Sequence, residues 1–173
     1  MKKSGIAKLL ISAFLVVSVG SAMAAPKLVV PVTKNPIVNA STTPGITVTS
    51  AMVQDNVDPI TKKAIPDRLM MKVVNRSSKL ASGFEIFYTM RDSSTKASES
   101  YYQKLTGFKV KAGATSYLYF DNLVGAGHFP ENKFSLYRSS TNEVKFAIIL
   151  SAKGFKVATA SAVKDKGTGE KVD

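Results

Sequence analysis

The side chains able to carry chemistry in this chain are few, and their spacing joins them into no familiar reaction centre. His128 is the single histidine and cysteine is absent, so a nucleophile-and-base pair has almost nothing to draw on. No Gly-x-Ser-x-Gly elbow is present either. His128 lies in the stretch Leu123–Pro130 with Gly125 and Gly127, which reads as a flexible crossover, and an imidazole there is expected to face solvent. One histidine without thiols is too small a ligand set for zinc. Asp55, Asp58 and Asp67 offer oxygen ligands, but their spacing matches no calcium loop, and they are expected to make turns instead. Glu85, Glu99, Asp121, Glu131 and Glu143 could supply the carboxylate pair of a glycosidase, yet each falls at a strand end or turn, where solvation is the simpler role. No glycine-rich loop joins a strand to a helix, so a dinucleotide has no platform. The expectation is a non-enzyme with no cofactor and no metal.

Binding is the better-supplied class. Four of the six tyrosines, Tyr101, Tyr102, Tyr117 and Tyr119, sit on two runs expected to flank a hairpin, beside Lys104, Lys109 and Lys111. A tyrosine ring is flat and apolar with a polar tip, suited to stacking on sugar rings or anchoring a protein. The candidate contact set is therefore Tyr101, Tyr102, Lys104, Tyr117 and Tyr119. Sheet packing is the competing role, because tyrosine is favoured in strands on propensity alone. The absence of tryptophan weighs against a strong polysaccharide face.

Strands must position these groups. Phe84, Ile86, Tyr88 and Met90 alternate along one side of a ribbon, with Leu69–Val74 before it and Tyr117–Phe120 after it as expected neighbours. In the last of these, Leu118 and Phe120 point inward and Tyr117 and Tyr119 outward, or the reverse. Val144, Phe146, Ile148 and Leu150 share a face of Asn142–Ala152, expected to oppose the Phe84 run across the core. Shorter strands are expected over Lys27–Thr33, Gly45–Gln54, Phe134–Tyr137 and Val157–Val163, with Pro31 confining the first to an edge and with Ile46, Val48 and Met52 on one face of the second. A loop is expected from Asp55 through Pro66.

The first 24 residues have the order of an export signal: Lys2 and Lys3, an apolar stretch from Leu9 to Val19, then Ala22-Met23-Ala24. Cleavage there would start the mature chain at Ala25, leaving one domain over 25–164 and a flexible tail over 165–173. Without cysteine the domain must hold by packing, and a bacterial periplasmic or extracellular location is expected. Lys2, Lys3 and Lys8 leave with the signal, which takes three from the formal charge of +12 and leaves +9. The remaining lysines are scattered, as on a solvated basic surface, with a residual pull toward acidic polysaccharide or anionic surfaces. No nucleic-acid partner and no membrane span after cleavage are expected.

One further pattern lies across the centre. Val74-Asn75-Arg76-Ser77, Leu80, Tyr88-Thr89-Met90-Arg91-Asp92 and Ala112-Gly113-Ala114-Thr115 follow an order that resembles extracellular immunoglobulin-like modules of the FxLYD kind, over residues about 70–122. The proline usual before the glycine is Ala112 here. The resemblance implies an extracellular setting and an antiparallel β-sandwich, with no catalytic residues to carry over. The fold expected is thus all-β, an immunoglobulin-like sandwich of about seven to nine strands. The function expected is an exported, non-catalytic binding module whose partner is another protein, a polysaccharide or an acidic surface. A structural or adhesive surface subunit, and a carbohydrate-binding module using surface tyrosines, are the alternatives.

Overall fold

Two four-stranded sheets enclose the apolar alternations, in a computed structural model that describes residues 29–57 and 64–167. In chain order the strands are β1 (Ile46–Val57), β2 (Ala64–Asn75), β3 (Glu85–Asp92), β4 (Ser98–Lys104), β5 (Thr115–Phe120), β6 (His128–Phe129), β7 (Val144–Ser151) and β8 (Ala158–Lys164). A single helical turn, α1 (Leu136–Ser139), precedes β7. The first sheet runs β1-β2-β5-β6 and the second β4-β3-β7-β8, every pairing antiparallel except β5 with β6. The expected leader over 1–24, Asp58 and the tail residues 168–173 lie outside the described residues, as does the Asp55 side chain.

Period-two alternation decides which side chains enter the core. Leu69, Met71, Val73, Leu118 and Phe120 enter it from the first sheet, and Ile86, Tyr88, Met90, Phe146, Ile148 and Leu150 from the second. Tyr88 meets Phe120 across the gap at a ring separation of 6.0 Å. Each fully buried aliphatic or aromatic side chain of this kind contributes about 1.5–3 kcal/mol.

Several expectations are corrected by the pairing. The Phe84 and Phe146 runs do not oppose one another: β3 and β7 are neighbours, with Tyr88 opposite Ile148 and Met90 opposite Phe146, and together they form one wall. The chain crosses between sheets after β4, so Tyr101-Tyr102 and Tyr117-Tyr119 belong to different sheets and flank no hairpin. In β1, Thr49 is an extra residue between the pairs Val48↔Val73 and Ser50↔Lys72. That bulge resets the alternation, so Val48, Ala51 and Val53 pack on the core while Met52 turns outward. The β1–β2 pairing continues to Val57↔Ala64, beyond the expected limits, because backbone pairing needs no apolar side chains. Pro66 is tolerated there because it falls in the irregularity between Arg68 and Ile65.

Residues 134–137 do not extend. Ser135 and Tyr137 are buried and Phe134 is exposed, with the chain turning into α1 so that Arg138 can reach Glu131. The described part of the first expected strand, Val29 to Thr33, is irregular but lies on the edge of β4. There Val32 N–H donates to the Ser100 carbonyl at 2.8 Å, and Pro31, which has no N–H, prevents a longer ladder. In the tail, Gly167 N–H donates to the Thr141 carbonyl at 3.1 Å.

Candidate binding site

The outward face of β5 carries Tyr117 and Tyr119, since Leu118 and Phe120 take the inward positions. The rings lie 6.2 Å apart and 18° from parallel. Across the sheet, β2 presents Arg68, Met70 and Lys72 on the same side, with Met70 opposite Tyr119 and Lys72 opposite Tyr117. β6 then brings His128 alongside Tyr119 from the other direction.

Tyr119 is clamped between these two neighbours. The Arg68 guanidinium carbon stands 4.5 Å from its ring centroid, and the His128 ring is 4.9 Å away and 20° from parallel. β2 and β6 flank β5 on opposite sides, so the two groups reach the ring from opposite neighbouring strands. Asp121, one step beyond β5, holds both: its Oδ2 is 3.4 Å from Arg68 Nη1, and both carboxylate oxygens are 3.0 Å from His128 Nδ1. A carboxylate only accepts, so Nδ1 carries the proton. This is the base-and-orienter half of a charge-relay arrangement. Among the described residues, no serine or threonine hydroxyl hydrogen-bonds the His128 ring, and the ring is engaged in stacking on Tyr119.

A closed loop delivers His128. Asn122 adopts φ 60°, turning the chain sharply out of β5, and its Oδ1 accepts the Glu131 N–H at 3.0 Å. Glu131 is anchored in the interior by Arg138 and by the Tyr137 hydroxyl. Burial pushes the Glu131 carboxyl up, and the Arg138 guanidinium pulls it back. Gly127 provides the closest approach of loop to strand. Its carbonyl accepts the Tyr119 N–H at 2.8 Å, and a Cβ on it would fall 2.5 Å from the Tyr117 carbonyl oxygen. Only glycine fits there, at φ +84°.

Beside this ledge opens a cleft of about 550 Å³, lined by Phe108, Lys109, Tyr117, Tyr119, His128, Phe129 and the Gly125–Gly127 turn among others. A second cleft of about 630 Å³, between Val29–Val32 and the edge of β4, is lined by Tyr102 and Lys104. Thr106 and Phe129 border both.

The five candidate residues thus separate. Tyr117 and Tyr119 stand together at the first cleft, and Tyr102 and Lys104 line the second. The Tyr102 hydroxyl donates to Glu85 at 2.8 Å, and burial, followed by that bond and charge, pushes its phenol up to about 12. Tyr101 is in the core, fully buried and stacked on Tyr88 at 5.6 Å, where burial raises its phenol too. It is not a contact residue. Tyr101 and Tyr102 are adjacent on a strand, so only one of them can face outward.

His128, Arg68 and Asp121 were not among the expected contacts. Arg68 shares parity with Met70 and Lys72, which marks it as outward-facing once the β2–β5 pairing is known. The reach of β6 back to β5 leaves no periodic signal in so short a strand. No protein-family model matches this chain, and no curated protein matches it.

Proposed function

We propose that this chain is an exported, non-catalytic binding module of immunoglobulin-like architecture, whose contact surface is the Tyr117–Tyr119–His128 ledge and its cleft. The observation that carries the reading is the clamp on Tyr119. Arg68, His128 and Asp121 fix one ring in place, so that the adjacent Tyr117 ring, 44% exposed, stands beside an open cleft. An exposed aromatic beside a fixed ring and a concavity suits recognition, because its large apolar face is covered at the cost of only two side-chain torsions.

The strand order supports the architectural part. β1-β2-β5 on one sheet and β3-β7-β8 on the other follow the Greek-key pairing of such sandwiches, with β4 in the place of the extra strand beside the third. The disulfide and tryptophan of antibody domains are missing. Tyr88 on β3, in ring contact with Tyr101, Phe120 and Phe146, fills the centre instead. The resemblance to FxLYD-type modules agrees with this arrangement and with an extracellular setting.

The test is a glycan, polyanion and surface-protein array probed with the wild type and with Tyr117→Ala/His128→Ala. The expected result is a ligand whose signal is lost in the double variant while far-ultraviolet circular dichroism is unchanged. No ligand, or one retained by that variant, refutes the reading. Export is tested by intact mass, with Ala25 expected as the first residue of protein recovered from periplasm or medium. Retention of residues 1–24 refutes it.

The structural-subunit reading is favoured by a separate observation, the seating of Val29–Val32 against the β4 edge with Val29 in the core. An edge that takes an extended segment from its own chain could take one from a neighbour. Concentration-dependent oligomers in light scattering, abolished by deleting residues up to Val32, would support it. A monomer at all concentrations removes it.

A further inference from the structure

We infer that the cleft beside Tyr117 takes an acidic sugar, a pyranose ring bearing a carboxylate, in preference to a neutral one. This rests on the binding reading above and adds the chemical class of the ligand.

The first argument is a missing stacking partner. Tyr119 and Tyr117 are successive outward residues of one strand with nearly parallel rings. On the β6 side of Tyr119 stands His128, in register across a parallel pair. Beside Tyr117, two residues earlier on β5, lies the Gly125-Ala126-Gly127 turn that precedes β6, which offers nothing larger than a methyl group. Gly127 presses so close to the Tyr117 carbonyl that no side chain could be placed there. The turn therefore leaves open, beside Tyr117, the volume that an imidazole fills beside Tyr119. A flat ring with an apolar face and polar edges fits that volume, and a pyranose has this form.

The second argument is charge. Lys109 lies on the cleft wall, His128 borders it, and none of the residues lining it is acidic. Lys72 lies opposite Tyr117 on β2. A carboxylate on the guest would meet an ammonium at the rim and no repelling carboxylate on the wall, and the chain's positive balance would add long-range attraction. Thr106, also on the wall, adds a polar side chain that suits the edges of a sugar rather than an apolar aromatic ligand.

The experiment is calorimetric titration of the exported chain with hexagalacturonate, cellohexaose and polyglutamate. These are an acidic sugar, a neutral sugar and a polyanion without rings. Hexagalacturonate is expected to bind about tenfold more tightly than either of the others, and Tyr117→Ala to weaken it about tenfold, the size of one lost stacking contact. Lys109→Gln should bring the acidic sugar down to the affinity of the neutral one. Lys145→Gln, the same charge change on the other sheet, should leave it unchanged. Equal binding of cellohexaose overturns the charge inference and leaves the binding reading standing. Equal binding of polyglutamate with no effect of Tyr117→Ala overturns the site, since attraction to net charge would then suffice. If no sugar binds, the ligand class is wrong, and the broader array alone decides the binding reading.

Discussion

Replacing Gly127 by alanine should be more damaging than the same change at any open glycine turn, and the difference measures how tightly the site's loop is seated. Two costs apply at Gly127. The first is conformational: at φ +84° an L-residue sits in the left-handed region, for about 1–2 kcal/mol. The second is contact. The new Cβ would lie 2.5 Å from the Tyr117 carbonyl oxygen, a backbone atom in a paired strand that cannot swing aside, so the loop must retreat. Retreat stretches the Tyr119 N–H bond to Gly127, worth about 1 kcal/mol net, and loosens the His128–Tyr119 stack, worth about 0.5–1.5 kcal/mol. Together these amount to about 2–5 kcal/mol. Gly113 is the control, because its φ of +68° carries the conformational cost while nothing lies within 4 Å of its would-be Cβ. Gly113→Ala should therefore cost only about 1–2 kcal/mol. Urea titration of both variants gives the difference, and hydrogen exchange at the Tyr119 amide tells whether the loop or the whole sandwich yields. If Gly127→Ala matches Gly113→Ala within about 0.5 kcal/mol and the Tyr119 amide stays protected, the tight seating of β6 is refuted.

Two further outcomes follow from the core and its polar border. Phe146→Ala, removing a buried ring that contacts Tyr137 at 5.4 Å and Tyr88 at 6.2 Å, should cost about 3–5 kcal/mol in the same titration, and a loss below about 1 kcal/mol would show the ring to be peripheral. Asp92 accepts hydrogen bonds from Ser140 and Asn142 and from the N–H groups of Thr95 and Ser94, which hold its carboxyl well below the ordinary range. Its folded value is below the unfolded value of about 4, so its contribution is complete above that pH and lost as pH falls. Asp92→Ala should accordingly lower the urea midpoint at pH 7 and flatten its decline below about pH 5; an unchanged acid slope would refute the assignment.

What could be read from the sequence was parity, and what could not be read was adjacency. Alternation identified Ile86, Tyr88, Phe146, Ile148 and Leu150 as buried, because a period-two pattern reports directly on which residues share a face. It does not say whether two such faces lie side by side or oppose each other, which is why β3 and β7 were expected across the core from one another. Parity also failed wherever the backbone departs from a plain strand. The extra residue Thr49 shifts Met52 to the outside, and at residues 134–137 the buried Glu131–Arg138 pair bends the chain into a turn against its alternating pattern. Hydrophobic periodicity carries no signal for a polar anchor of that kind.

The site shows the same division more sharply. Tyr117 and Tyr119 stand in one short run, Ser-Tyr-Leu-Tyr-Phe, two residues apart on one face, and nothing local distinguishes them. Their difference comes from outside the run. Opposite Tyr119 the register places His128 on one side and Arg68 close by on the other, while opposite Tyr117 it places a glycine turn and Lys72. Asp121 then joins the arginine and the histidine, so that one ring is fixed and the other is left exposed beside the cleft. The division of roles therefore depends on a two-residue strand held by Asn122, Gly127 and the buried Glu131. Loosening that loop should free both rings at once, and with them the orientation of the cleft, before the other strands of the two sheets are affected.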